Sequence, residues 1–263
     1  MAVFLAQGVG LLVAGLLLWL SGEPTPGGEA LLWGALAGAS GAFGLGCFYL
    51  ALSRGTMGLV APLTALLAAA WPAAFALLTG DGVGDLALAG MGVALVSIVL
   101  ISVPDRHLGS PVMPTYHGSR GREWLLILGA SLGFGAFFLF IAASQDAGGA
   151  VWWPLLMLKL AGVVTVVLAA LVLAPLGRFP GVRAGRAALL LGALAGIGDL
   201  GGYLFFVLAS AEGELAIVIV LASLYPVVTA VLARLLLHER LSPLRLAGVA
   251  MAILGVILIT IPA

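Results

Sequence analysis

Apolar residues run along this chain in stretches of about twenty, separated by short clusters of Gly, Pro and charge. The stretches cover 2–21, 30–53, 57–79, 85–103, 123–144, 150–174, 186–210, 215–237 and 243–261. About 20 apolar residues cross the hydrocarbon core of a bilayer as an α-helix. The pattern therefore predicts an all-α, polytopic membrane protein with about nine transmembrane helices. The stretch 104–122, rich in Pro, Gly, His and Arg, is the only long polar interruption and the natural border between two halves.

The halves are related. GALAG at 34–38 returns as GALAG at 192–196, an offset of 158 (192 − 34 = 158). The same offset carries Gly55 onto Gly213, Gly90 onto Gly248, and Leu100-Ile101-Ser102 onto Leu258-Ile259-Thr260. A duplicated, membrane-buried chain is the usual ground plan of a secondary transporter. The expected organisation is a first repeat of four helices over 1–103, a cytoplasmic linker over 104–122 and a second repeat of five helices over 123–263. Subtracting 158 from Lys159 lands on Met1, so the first copy starts inside the counterpart of the second copy's second helix. Nothing in the first copy matches 123–144. Two readings follow, a nine-helix variant or a truncated or misassigned start, and the second is the expectation. An odd number of spans separates matched helices, which predicts an inverted repeat.

Composition sharpens the class. Hydrophobic residues make up 63% of the chain and charged ones 8%, with mean hydropathy +1.24. A soluble domain is about half apolar and a quarter charged. Formal net charge is zero, so no nucleic-acid partner is implied. The single cysteine, Cys47, has no internal disulfide partner. The N-terminal stretch has no basic n-region and no A-x-A site before Glu23, and reads as a retained span rather than a signal peptide.

Charge placement is one-sided along the loops. Arg54, Arg106, Arg120, Arg122, Arg178, Arg183, Arg186, Arg240 and Arg245 fall on one side, and Arg234 can snorkel to it. Glu23, Glu29, Asp81, Asp85, Asp146, Glu212 and Glu214 fall on the other. The positive-inside rule makes the arginine face cytoplasmic, with Met1 inside and Ala263 outside. The preference for Arg over Lys and the Ala/Gly/Leu bias suggest a bacterium with a GC-rich genome, hence an inner (plasma) membrane location.

Lipid supplies no hydrophobic drive between helices, so small residues must let backbones approach. Gly34, Gly38, Gly192 and Gly196 are the expected packing glycines, with Gly41, Gly44, Gly129, Gly133, Gly198, Gly201 and Gly202 continuing the pattern. Pro62, Pro72, Pro154 and Pro226 lie in or at the ends of spans, where each removes a backbone donor and tends to kink the helix. Trp71-Pro72 and Tyr225-Pro226 read as counterparts four residues out of register (226 − 72 = 154), about one helical turn. They predict either moving, cavity-lining helices or static kinks at Pro62, Pro72 and Pro226.

The stretch 213–259, containing LASLYPVVTAVLARLLLHERLSPLRLAGVAMAILGVILI, closely resembles the C-terminal half of EamA-type domains of the drug/metabolite transporter superfamily. In that pattern a Pro-kinked helix is followed by a Glu-Arg-Leu loop, here Glu239-Arg240-Leu241, and a Gly-rich final helix. The first copy has 59–74 and 90–102 in the same roles, with Asp81 and Asp85 in place of the Glu-Arg loop. The resemblance covers nearly the whole chain. It implies ten helices in two inverted five-helix repeats, and export or uptake of small metabolites or drugs. The chain departs from it by lacking the first helix. The arginine bias also places the C-terminus outside, whereas the family is usually drawn with both termini in the cytoplasm.

Lys159 is the only lysine and lies mid-span, and Asp199 is the only acid deep inside a span. Both fall roughly 13–17 Å from the outer helix ends, near the bilayer midplane. Ionisable groups at that depth are costly, usually pair, and often mark a transport pathway. The pair is expected to face across a central cavity and to bind a polar substrate group or a proton; the alternative is a structural pair that locks two helices. Tyr203, Ser131, Ser40, Thr64, Ser223 and Tyr225 are the accompanying candidate pathway residues. Trp152 and Trp153 read either as stacking groups or as interface-belt anchors.

Enzyme readings fail on geometry. Gly129-Ala-Ser131-Leu-Gly133 fits G-x-S-x-G, and Gly38-Ala-Ser40-Gly41 resembles G-x-S-G. Such serines need a base within reach, while His107, His117 and His238 all fall in loops. His238-Glu239 lacks the second His of a zinc motif, and no G-x-x-x-x-G-K-S/T is present, so no metal, cofactor or ATP-driven pump is expected. The expected function is secondary transport of a small metabolite or drug-like solute by alternating access. The other reading is a non-transporting scaffold or a lipid flippase-like protein. Expected partners are the lipid bilayer, a small-molecule substrate, a coupling proton and a second copy of the chain in a homodimer.

Overall fold

A computed structural model describes residues 2–54, 57–80, 82–102, 120–173, 185–236 and 242–261. Asp81, most of the linker, His107, His117, His238 and the Glu239-Arg240-Leu241 loop lie outside them. The described residues form ten helices: α1 (Ala2–Ser21), α2 (Gly28–Arg54), α3 (Met57–Thr79), α4 (Asp85–Ser102), α5 (Arg120–Asp146), α6 (Trp152–Leu173), α7 (Arg186–Glu212), α8 (Leu215–Ala222), α9 (Tyr225–Leu236) and α10 (Pro243–Thr260). Six are long and apolar enough to cross a membrane, and three shorter apolar stretches accompany them.

Nine apolar stretches become ten helices because the stretch 215–237 divides into α8 and α9. Pro226 has no N–H to give the Ala222 carbonyl, and its ring crowds that carbonyl. The backbone tightens instead. The Leu224 N–H donates to Leu221 O at 3.1 Å, and the Val227 N–H to Leu224 O at 2.9 Å, the i→i+3 bonding of a 3₁₀ turn. Pro72 carries the same handicap, yet α3 continues through it. Pro62 also falls within α3.

Helix bounds repeat with the sequence offset. Adding 158 to the bounds of α2 (28–54) gives 186–212, those of α7. Adding it to α4 (85–102) gives 243–260, those of α10, and α3 maps onto the span of α8 and α9. Helix α5 has no such counterpart among the described residues.

The chain forms two compact units. The first comprises the residues up to Phe43 together with Ala136–Glu212. Here α1 packs on both α6 and α7. The GALAG glycines make close approaches: Gly38 lies on the Leu158 carbonyl of α6, and Gly196, its copy, lies on the Ala6 carbonyl of α1. A Cβ at Gly34 would stand 3.2 Å from Pro154, and Gly192 is buried. The Ser144 hydroxyl donates to Ala30 O at 2.6 Å, tying α5 to α2. Gln145 bridges to α7, donating to Val207 O at 2.8 Å and accepting from the Ser210 hydroxyl at 2.6 Å.

Glu23, in the α1–α2 connection, caps α6 from outside that helix. Its carboxylate accepts the N–H groups of Val151, Trp152 and Trp153 at 3.0–3.2 Å. The Trp153 indole N–H donates back to Glu23 O at 3.1 Å. The first N–H groups of a helix have no internal acceptors, and a carboxylate satisfies both their hydrogen bonds and the helix dipole.

The second unit comprises Gly44–Gly135 and the residues from Gly213 on. Its dominant packing is α4 on α10. Gly90, near the start of α4, sits against Ile259 at the end of α10, and Gly248, near the start of α10, sits against Ile101 at the end of α4. The two helices are therefore antiparallel. The contacts are also reciprocal, since Gly248 is Gly90 and Ile259 is Ile101 displaced by 158. Such exchange of roles is the signature of a local two-fold relation. Elsewhere Ala51, Val60 and Ile127 form a buried cluster, and Gly44 approaches the Phe134 backbone.

Candidate substrate site

The charged site lies inside the first unit. Lys159, on α6, is fully buried (0% exposed). Its aliphatic stem passes over Gly10 of α1, where a Cβ would come within 2.9 Å of Lys159 Cε. A glycine there makes the room the long side chain needs. The ammonium donates to Asp199 Oδ2 at 2.5 Å and to Gln7 Oε1 at 3.5 Å, and lies 4.6 Å from the centroid of the Tyr203 ring. Asp199 and Tyr203 are four residues apart on α7, one turn, so a single helix face presents both. Gln7 comes from α1, is 9% exposed, and packs beside Gly162. Phe137 packs against Tyr203 with ring centroids 5.0 Å apart and the planes tilted by 50°.

Lys159 and Asp199 thus meet directly rather than across an open space. A buried ion pair is tolerable only when further hydrogen bonds satisfy its members. An ammonium has three N–H donors, and Lys159 finds a carboxylate, an amide oxygen and an aromatic face for them. The two partners differ in access: the Lys159 side chain has no exposed surface, whereas the Asp199 side chain is 39% exposed.

The remaining candidates are distributed. Ser131 and Thr64 meet in the second unit, where the Ser131 hydroxyl donates to Ile127 O at 2.8 Å and to Thr64 O at 3.4 Å. Trp71 donates its indole N–H to Ser131 O at 3.1 Å, with its ring against Gly135. Thr64 Oγ1 is buried without a hydrogen-bond partner. Ser223 is buried and donates to Ile219 O at 2.7 Å, and Tyr225 is 54% exposed. Trp71 and Tyr225 therefore occupy different surroundings. Ser40 donates to Ala37 O of its own helix at 3.0 Å. Trp152 and Trp153 sit at the Glu23 cap. Sequence reasoning passed over Gln7, Glu23 and the role of Trp71. Gln7 had a readable signal, as the one polar side chain in α1 ahead of its terminal Ser21.

Apolar helices of membrane-spanning length and a buried ion pair inside one bundle define a polytopic all-α membrane protein. The chain belongs to the EamA-like transporter family, whose model matches residues 121–261. Thirteen chains of solved structures match it. One, described only as the crystal structure of a protein, superposes with a TM-score of 0.73 at 19% identity, over 98% of this chain and 86% of the other. At that identity the likeness speaks to the fold alone. No curated protein sequence matches.

Proposed function

We propose that the protein is a secondary transporter of a small metabolite or drug-like solute, working by alternating access between two inverted repeats, with Lys159 and Asp199 on the solute or proton pathway. The observation that carries this reading is a fully buried lysine, mid-helix, paired with a carboxylate that keeps exposed surface. An ionised side chain at membrane depth is stable only against the bundle interior or water. Tyr203 and Gln7 orient the ammonium. The 158-residue offset of helix bounds and the reciprocal α4–α10 crossing support the inverted arrangement. The family membership supports transport over a scaffold role.

The test is uptake of radiolabelled amino acids, amines and carboxylates into proteoliposomes, with and without an imposed pH gradient. Flux above that of empty vesicles is expected for at least one solute, and Lys159→Met and Asp199→Asn should abolish it while folded protein stays in the membrane. Undiminished flux in both variants, or no flux for any solute, would overturn the reading.

A further inference from the structure

The two members of the buried pair are not equally available to a solute. Lys159 has no exposed surface, and its ammonium is engaged by Asp199, Gln7 and the Tyr203 ring. An anion approaching the cluster would have to displace Asp199 before touching a positive charge. Asp199 is 39% exposed, and a carboxylate offers about four acceptor positions, more than the Lys159 ammonium and the Tyr203 hydroxyl together use. On the same face of α7, Gly202 has no neighbouring atom within 4 Å of where a Cβ would stand. The cluster therefore turns the negative end of its dipole toward open space, with the positive end sealed behind it.

Resting on the reading that this pair lines the solute path, we infer that Asp199 is its solute-facing member and that the transported solute carries a positive charge, an organic ammonium or a comparable cation. A cationic group docks on the outer edge of Asp199 while Lys159 holds the inner edge. The titratable groups facing Lys159 among the described residues are Asp199 and Tyr203, both on α7. The α1 face contributes only the neutral amide of Gln7, and α2 contributes Gly38 beside Leu158. No second positive charge in this cluster offsets the carboxylate from the open side.

The sign of the site can be read without knowing the solute. Gly202 lies three residues beyond Asp199, on the same face, and a side chain there enters open space. In a Cys47→Ala background, Gly202→Cys is reconstituted in proteoliposomes. It is then treated with trimethylammonioethyl methanethiosulfonate or its sulfonatoethyl analogue, each rate being normalised to that with a free thiol. With Asp199 intact the cationic reagent should react about fivefold faster, as expected of a carboxylate several ångströms away whose charge Lys159 only partly offsets. Asp199→Asn should reverse the preference by leaving Lys159 uncompensated, and Lys159→Met should widen it. Labelling without preference, or faster labelling by the sulfonate, overturns the cationic class and leaves the pathway reading standing. No labelling by either reagent removes this face from any aqueous path, and both readings then fall.

Discussion

Lys159 shows how one residue sets terms for its neighbours. Gly10 makes room for its stem, Asp199 balances its charge, and Gln7 and Tyr203 take up what remains. Removing one member of such a pair strands the other and costs about 3–5 kcal/mol, whereas replacing both by apolar groups is often neutral. Lys159→Met and Asp199→Leu should each lower the thermal unfolding midpoint in detergent, and the double variant should recover most of the loss. Additive losses in the double variant would show that the two side chains are not energetically coupled. Gly38 and Gly46 make a second contrast. A methyl at Gly38 meets the Leu158 carbonyl, while one at Gly46 meets nothing within 4 Å. Gly38→Ala should therefore destabilise strongly and Gly46→Ala hardly at all, as read by the same midpoints. The charged pair was legible in the sequence because lone ionisable residues stand out in apolar runs. Its third partner was passed over, since a single amide in α1 carries no period and its use depends on which helix lies alongside.

At the scale of elements, the helices were legible from their apolar lengths, but their interruptions were not. Pro72 and Pro226 look alike in sequence, yet only the second separates two helices. The turn ahead of Pro226 closes through i→i+3 bonds. Pro226→Ala restores a donor for the Ala222 carbonyl, and hydrogen exchange across 222–228 should slow as α8 and α9 join; unchanged exchange would mean that packing alone imposes the break. The α6 cap was likewise hidden, because Glu23 acts on a helix that begins more than a hundred residues later. Losing a side-chain cap costs about 1 kcal/mol. Glu23→Ala should speed hydrogen exchange at Val151, Trp152 and Trp153 by roughly tenfold at most, with little change at the far end of α6. Exchange unaltered at those three amides would mean that the carboxylate is dispensable.

At the scale of the whole chain, the 158-residue offset was the most legible property. A five-residue string repeated at 158, and the bounds of α2 and α4 recur in α7 and α10 at that spacing. What an offset cannot disclose is which copies of each helix touch. In the second unit α4 packs on α10, Gly90 under Ile259 and Gly248 under Ile101. Gly90→Val and Gly248→Val should therefore lower the unfolding midpoint by similar amounts. Unequal losses would mean that the crossing is symmetric in outline but not in energy.

The same crossing ties residues near one end of the sequence to residues near its middle. A bulkier residue at position 90 finds room only if 259 shrinks, and one at 248 only if 101 does. Side-chain sizes at this crossing are thus coupled in pairs, 90 with 259 and 248 with 101, each pair spanning both helices.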